Sequence, residues 1–124
     1  WSGDAYQLAA ENDGKFDFAI PDSGGTFSND NMIIPYTSKL QTETEKLINY
    51  YYDPAVAAEV AAYVNYVCPV VGAQAEMEKI DPALAKNELI FPSAKTQSRL
   101  KVFRALTPAE ETEFSAAFQK AVGN

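Results

Sequence analysis

The side chains that could do chemistry in this chain are carboxylates and aromatic rings. Seventeen Asp and Glu stand against ten Lys and Arg, for a formal net charge of −7, beside one Trp, seven Tyr and seven Phe. No His occurs in the 124 residues. Within this chain that excludes a Ser-His-Asp triad, a histidine metal site and a histidine general base. Acids and rings together can hold a cation. An ammonium taken from water needs a carboxylate or several acceptors, and an aromatic face attracts a cation by roughly 0.5–2 kcal/mol. The same acidity serves equally well to keep a protein in solution, and it disfavours non-specific binding to nucleic acid or anionic membrane. The acid that stands out is Asp30, which interrupts a strand-like stretch before Met32-Ile33-Ile34. Its type and place allow two readings, a ligand carboxylate or a loop aspartate that caps a turn with Asn29 or Asn31.

Other chemically suggestive groups have plainer readings. The single cysteine, Cys68, can form no internal disulfide and reads as a small buried apolar residue. Glu43, Glu45, Glu76 and Glu78 fall at helical spacings that suit solvated faces rather than a metal or acid/base site. Ser23-Gly24-Gly25 could cradle an anion with backbone amides, but no P-loop lysine follows and a turn is the simpler reading. Tyr50-Tyr51-Tyr52 closes a helix and packs in part against a neighbour, or leaves an exposed patch. No run of about 18 apolar residues occurs that could span a membrane as a helix.

The elements that must position these groups follow from periodicity and punctuation. Residues 2–12 read as a helix capped by Ser2, with Asp4 at its positive end, Tyr6, Ala9 and Ala10 inward, and Gly14 ending it. Phe16, Phe18 and Ile20 alternate as in a strand, Pro21 to Gly25 is turn chemistry, and residues 26–34 read as a second strand. Pro35 to Leu40 is a loop, and residues 42–52 a helix with Leu47, Ile48 and Tyr51 on one face. Asp53-Pro54 is an N-cap followed by a first-turn proline, so a new helix begins there. Val56, Val60 and Val64, with Ala57 and Ala61, give that helix a small-residue face suited to close packing. Val67 to Gly72 is extended, residues 73–80 are helical, and Asp81-Pro82 starts a short helix. A helix over about residues 94–105 is expected after Pro92, with Leu100 and Phe103 inward. Thr107-Pro108-Ala109-Glu110 is a capping box opening a last helix, whose buried stripe is Phe114, Phe118 and Ala121 and whose end is Gly123. Two strands make a poor sheet alone, and such amphipathic helices need a larger sheet to cover. The chain also opens on Trp1 rather than Met. It is therefore expected to be a piece of a longer one.

Several short segments, in order, resemble the last third of the spermidine/putrescine-binding proteins of bacterial ABC uptake systems, which belong to the type II periplasmic binding-protein superfamily. Trp1-Ser2-Gly3-Asp4-Ala5 is similar to the family's Trp-Xaa-Gly helix start, and Ser23-Gly24-Gly25-Thr26-Phe27 to its Gly-Gly turn into a strand between lobes. Asp30 falls at the strand aspartate. Lys46-Leu47-Ile48-Asn49-Tyr50 and Asp53-Pro54-Ala55-Val56-Ala57 resemble the Leu-Ile-Asn-Phe and Xaa-Pro-Xaa-Val-Ala helices, Asn65-Tyr66 the Gly-Tyr, and Leu89-Ile90-Phe91-Pro92 the Leu-Tyr-Pro. The match is tightest over about residues 21–66.

The resemblance implies an α/β fold: the C-terminal part of a two-lobed periplasmic binding protein, helix-rich with a few strands. Residues 1–26 would belong to the second lobe, 27–72 to the first, and 73–124 would return to the second. The chain would be the solute-binding component of an ABC uptake transporter, not an enzyme, with no cofactor or metal. It would bind a polyamine such as spermidine or putrescine and deliver it to a membrane permease. Its place would be periplasmic or extracytoplasmic, with lipid anchoring through an upstream segment a further possibility. At the site Asp30 would pair with an ammonium, while Trp1 and Tyr66 would supply aromatic surface. Ser28 stands where the family often carries a second tryptophan, which removes one wall and opens the alternative of another small solute. Near the family's late glutamine lies Phe103, whose spacing to Leu106 suits a core. A sensor or enzyme built on this fold, or an acidic helical protein with a structural role, are the readings from other classes. A lobe lacking its sheet partners could also exchange elements between copies.

Overall fold

The computed structural model describes residues 1–123. Its elements run α1 (Ser2–Glu11), β1 (Gly25–Phe27), α2 (Gln41–Tyr51), α3 (Pro54–Val64), α4 (Ala73–Ile80), a 3-10 turn (Leu84–Lys86), α5 (Ala94–Gln97), β2 (Leu100–Val102) and α6 (Pro108–Val122). The helix-rich, strand-poor character expected from the sequence is present.

The core forms where small side chains let helices approach. Asp53 ends α2 and starts α3: its Oδ1 accepts from the Ala55 and Val56 amides at 3.0 and 3.4 Å, with Pro54 in the first turn. These bonds satisfy orphan donors of the new helix. The alanine face of α3, Ala57, Ala58 and Ala61, is buried against α4, which contributes Ala73 and Met77; Ala85 and Ile90 complete the cluster. Cys68, half-buried at its edge, has a thiol pushed up by burial, and its amide donates to the Ile90 carbonyl at 3.0 Å. The reversal between α3 and α4 is made at Gly72, whose φ of +90° only glycine adopts readily. After α4, Asp81 Oδ1 accepts from the Ala83 and Leu84 amides at 2.8 and 3.2 Å, as the Asp-Pro signal predicts. Glu88 then straps the following loop by accepting from Thr96 Oγ1 at 2.7 Å and the Ser93 amide at 2.9 Å.

The strands depart from expectation in two ways. Phe16, Phe18 and Ile20 are not a strand; the two phenylalanines are exposed, and no described strand runs beside them. Alternation supplies the pattern of a strand but not the neighbour that its ladder needs. The second strand is limited to Gly25–Phe27, and Met32 and Ile33 lie exposed in irregular chain. Its partner comes from an unexpected place. The helix anticipated over 94–105 stops at Gln97, and Leu100–Val102 pairs parallel with β1, Gly25 opposite Leu100 and Phe27 opposite Val102. The turn before β1 is locked to this partner: Arg99 Nη1 donates to Asp22 Oδ1 at 2.9 Å, and Gly24, at φ +105°, leaves no room for a side chain beside the Arg99 carbonyl. Long-range pairing thus overrides a local helical pattern. Phe103, expected in the core, is 75 % exposed.

The helix ends divide likewise. Ser2 does not cap α1; Trp1 holds the N-cap position and makes no side-chain bond there. Tyr6 and Ala9 are half-buried, while Ala10 is exposed. At α6 the capping box forms as expected, with Thr107 Oγ1 accepting from the Glu110 amide and Glu110 Oε2 from the Thr107 amide. Its apolar stripe does not become buried: Phe114 and Phe118 are exposed, and Ala121 with them.

Candidate functional site

The group of residues with ligand-binding character lies where the end of α3 meets the start of α1. Asn65 terminates α3 in the left-handed region at φ +57°, a conformation asparagine tolerates better than most residues. Its amide donates to the Ala61 carbonyl at 2.9 Å and its side chain to the Tyr63 carbonyl at 3.3 Å. The reversal sends Tyr66 onto α1. There its ring lies directly on Gly3, which is buried beneath it.

This contact brings the tyrosine to the turn that carries Asp4, the residue after Gly3. Burial, then the hydrogen bond to the Asp4 carboxylate and that group's charge, raise the Tyr66 phenol above its ordinary value of 10.0; the Asp4 backbone amide works against this, and the charge of Asp30 adds to it. The physical sense is consistent. A phenol near negative charge resists becoming an anion. Asp4 Oδ2 also lies 3.3 Å from the main-chain nitrogen of Trp1. Of the residues singled out from the sequence, Tyr66 and Asp30 are thus linked only through the charge of Asp30 on the phenol, with no hydrogen bond between them among the described residues. Ser28 is exposed two positions before Asp30 on the same irregular segment. Trp1 sits one turn from Asp4 with its side chain 88 % exposed, packed against neither wall.

Asp4 was legible from the sequence only as a carboxylate suited to a helix N-terminus. The signal that could have raised it is its place directly after the glycine of Trp1-Ser2-Gly3. Its carboxylate can accept from a cation, as it does from the Trp1 main-chain nitrogen.

Two concave surfaces lie elsewhere. An open polar cleft of about 660 Å³ is lined along α2 by Glu45, Lys46, Asn49, Tyr50, Tyr52 and Asp53. An apolar groove of about 560 Å³ runs beside the strand pair, between Phe27, Leu100 and Val102 on one side and Val67 to Gly72 with Phe91 on the other. Neither includes Trp1, Ser28, Asp30 or Tyr66. Among the described residues no three His, Cys, Asp or Glu gather as a metal site, and no helix is long and apolar enough to cross a membrane.

No family model and no solved structure matches the chain. Curated proteins do. It is 31 % identical over 99 residues to the spermidine/putrescine-binding periplasmic protein of Salmonella typhimurium, covering 80 % of this chain and 27 % of that protein. It is 31 % identical over 96 residues to the Escherichia coli (strain K12) protein of the same name, covering 77 % of this chain and 26 % of that one. To the putrescine/cadaverine-binding protein of Pseudomonas aeruginosa it is 30 % identical over 111 residues, 86 % of this chain and 30 % of the relative. The chain is therefore a relative of the spermidine/putrescine-binding periplasmic proteins, and it spans about a quarter of their length.

Proposed function

We propose that this chain is the C-terminal portion of an extracytoplasmic solute-binding protein that captures a polyamine for an ABC permease. The observation that carries the reading is its similarity, over most of its length, to proteins named for binding spermidine, putrescine or cadaverine. The chemistry of the site supports it. Asp4 follows the glycine on which the Tyr66 ring rests, and the charge of Asp30 is felt at the same phenol, so the set contains two carboxylates and an aromatic face. An alkyl diamine needs a charge partner at each ammonium and an apolar surface between them, and this set provides both kinds of group. Asp30 anchors an ammonium. Tyr66 offers its ring to the methylene chain, and Trp1 a second aromatic surface. The capture involves no covalent chemistry.

In this reading residues 1–26 and 73–124 contribute to one lobe and 27–72 to the other, and the cleft closes between α1 and the end of α3. Closure around the ligand creates the surface that a permease recognises. The exposed rings of α6 and of residues 16–18 would then be covered by the rest of the two-lobed protein.

Calorimetric titration of spermidine and putrescine into the full-length protein tests the proposal. Saturable binding is expected, weakened by Asp30→Asn by about 1.4 kcal/mol or more, a factor of ten. Absence of binding to well-folded protein would remove the polyamine assignment. One observation favours a second reading: the small, exposed Ser28, two positions before Asp30, offers no aromatic wall there, which suits another solute. A panel of amino-acid derivatives, sugars and anions in a thermal-shift assay separates the two.

A further inference from the structure

Gly3 poses a question that helix formation does not answer. It lies in the first turn of α1 with ordinary helical backbone, outside the left-handed region where glycine has its advantage. Alanine forms helix better than glycine at such a position. What distinguishes Gly3 is space. A Cβ built on it would stand 2.5 Å from Cε2, 2.7 Å from Cδ2 and 2.8 Å from Cζ of Tyr66, distances that real Cβ atoms do not adopt. The ring edge therefore rests on bare backbone. Asn65 fixes the backbone from which Tyr66 departs with a left-handed turn and two hydrogen bonds, so relief of a clash at Gly3 must come from rotation of the ring itself.

We propose that Gly3 is a positioning residue of the polyamine site: its missing side chain is the seat that lets the Tyr66 ring lie against the first turn of α1, the turn that carries Asp4. The inference rests on the function proposed above and adds to it a residue that touches no ligand. A methyl at Gly3 lifts the ring from the first turn of α1 and closes part of the space between α1 and the end of α3. The geometry works in both directions, since removing the ring makes room for the methyl.

The test is a double-mutant cycle in the full-length protein with putrescine and spermidine as probes. Gly3→Ala is expected to weaken binding at least about tenfold when Tyr66 is present, and less than about twofold in a Tyr66→Ala background. A second readout needs no ligand. In protein carrying ¹³C-labelled tyrosine, assigned by its loss in Tyr66→Phe, the Tyr66 ring signal shifts in Gly3→Ala and its titration midpoint falls toward that of an ordinary phenol. Equal losses of affinity in both backgrounds, or an unmoved Tyr66 signal, overturn the proposal. If the unsubstituted protein binds neither polyamine, the function reading fails while the ring signal still decides the seat. If Gly3→Ala does not fold, rescue of folding by Tyr66→Ala supports the seat, and failure of rescue overturns it.

Discussion

Helices α3 and α6 make an instructive pair. Each opens with a side-chain cap followed by proline, and each carries an apolar stripe readable from spacing. In α3 the valines that set the period, Val56, Val60 and Val64, are half-buried, while the alanines beside them are buried against α4, with Ala58 and Met77 fully enclosed. The stripe of α6 is built of large rings, and Phe118 is 68 % exposed. A cap and a period are properties of one segment, whereas burial is a property of two surfaces. The partner of α3 follows one short loop later, bent back at Gly72. Among the described residues nothing covers the rings of α6.

The contrast can be broken most sharply by truncating one residue on each side. Met77→Ala removes a fully buried side chain and is expected to cost about 2–5 kcal/mol in urea unfolding of the chain, while Phe118→Ala changes stability by no more than about 0.5 kcal/mol. The second value should rise several-fold in the full-length protein if its remaining part covers α6. An equal cost at both sites in the chain alone would show that α6 already has a partner. Removal of the caps comes next in size. Asp53→Ala is expected to lower global stability by about 1 kcal/mol, because α3 is part of the core. Thr107→Ala should instead fray only the first turn of α6, seen as faster amide exchange at residues 108–111 without a shift of the unfolding midpoint.

The smallest effect is one of pH. The Arg104 guanidinium, at 2.6 Å from Glu110 Oε1, followed by the Thr107 amide and hydroxyl, holds the Glu110 carboxyl at about 2, below its ordinary 4.5. A depressed carboxylate stabilises its ionised, paired form. Its contribution is fully present above 4.5 and is lost as pH falls through about 2. Amide protection at the start of α6 is therefore expected to persist at pH 4, fade below 3 and vanish near 1. Arg104→Gln should move that loss to higher pH, and an unchanged profile in the variant would remove the ion pair as its cause.

What was legible in the sequence was whatever depends on neighbours a few residues away. Asp53-Pro54, Asp81-Pro82 and Thr107 to Glu110 mark helix starts because a side-chain oxygen reaches an amide two or three positions on. The helix at 73–80 and the small-residue face of α3 followed from period. Residues 94–105 misled for the same reason. Their local pattern is helical, yet Leu100–Val102 gains a ladder with β1, some 75 positions earlier, whose turn Arg99 fastens through Asp22. No local pattern announces a partner at that distance.

The site divides in the same manner. Sequence by itself determined the chemistry available: carboxylates and rings without a single histidine, and an order of motifs like that of polyamine-binding proteins. It marked Asp30, Trp1, Ser28 and Tyr66 as separate points along the chain. Tertiary structure decided which of the groups meet. It set Tyr66 on Gly3, in the turn that carries Asp4, and left Trp1 exposed. The physical reason is steric. Whether a ring can approach a helix depends on the one side chain opposite it, and which residue stands opposite is known only once the end of α3 has turned back onto α1.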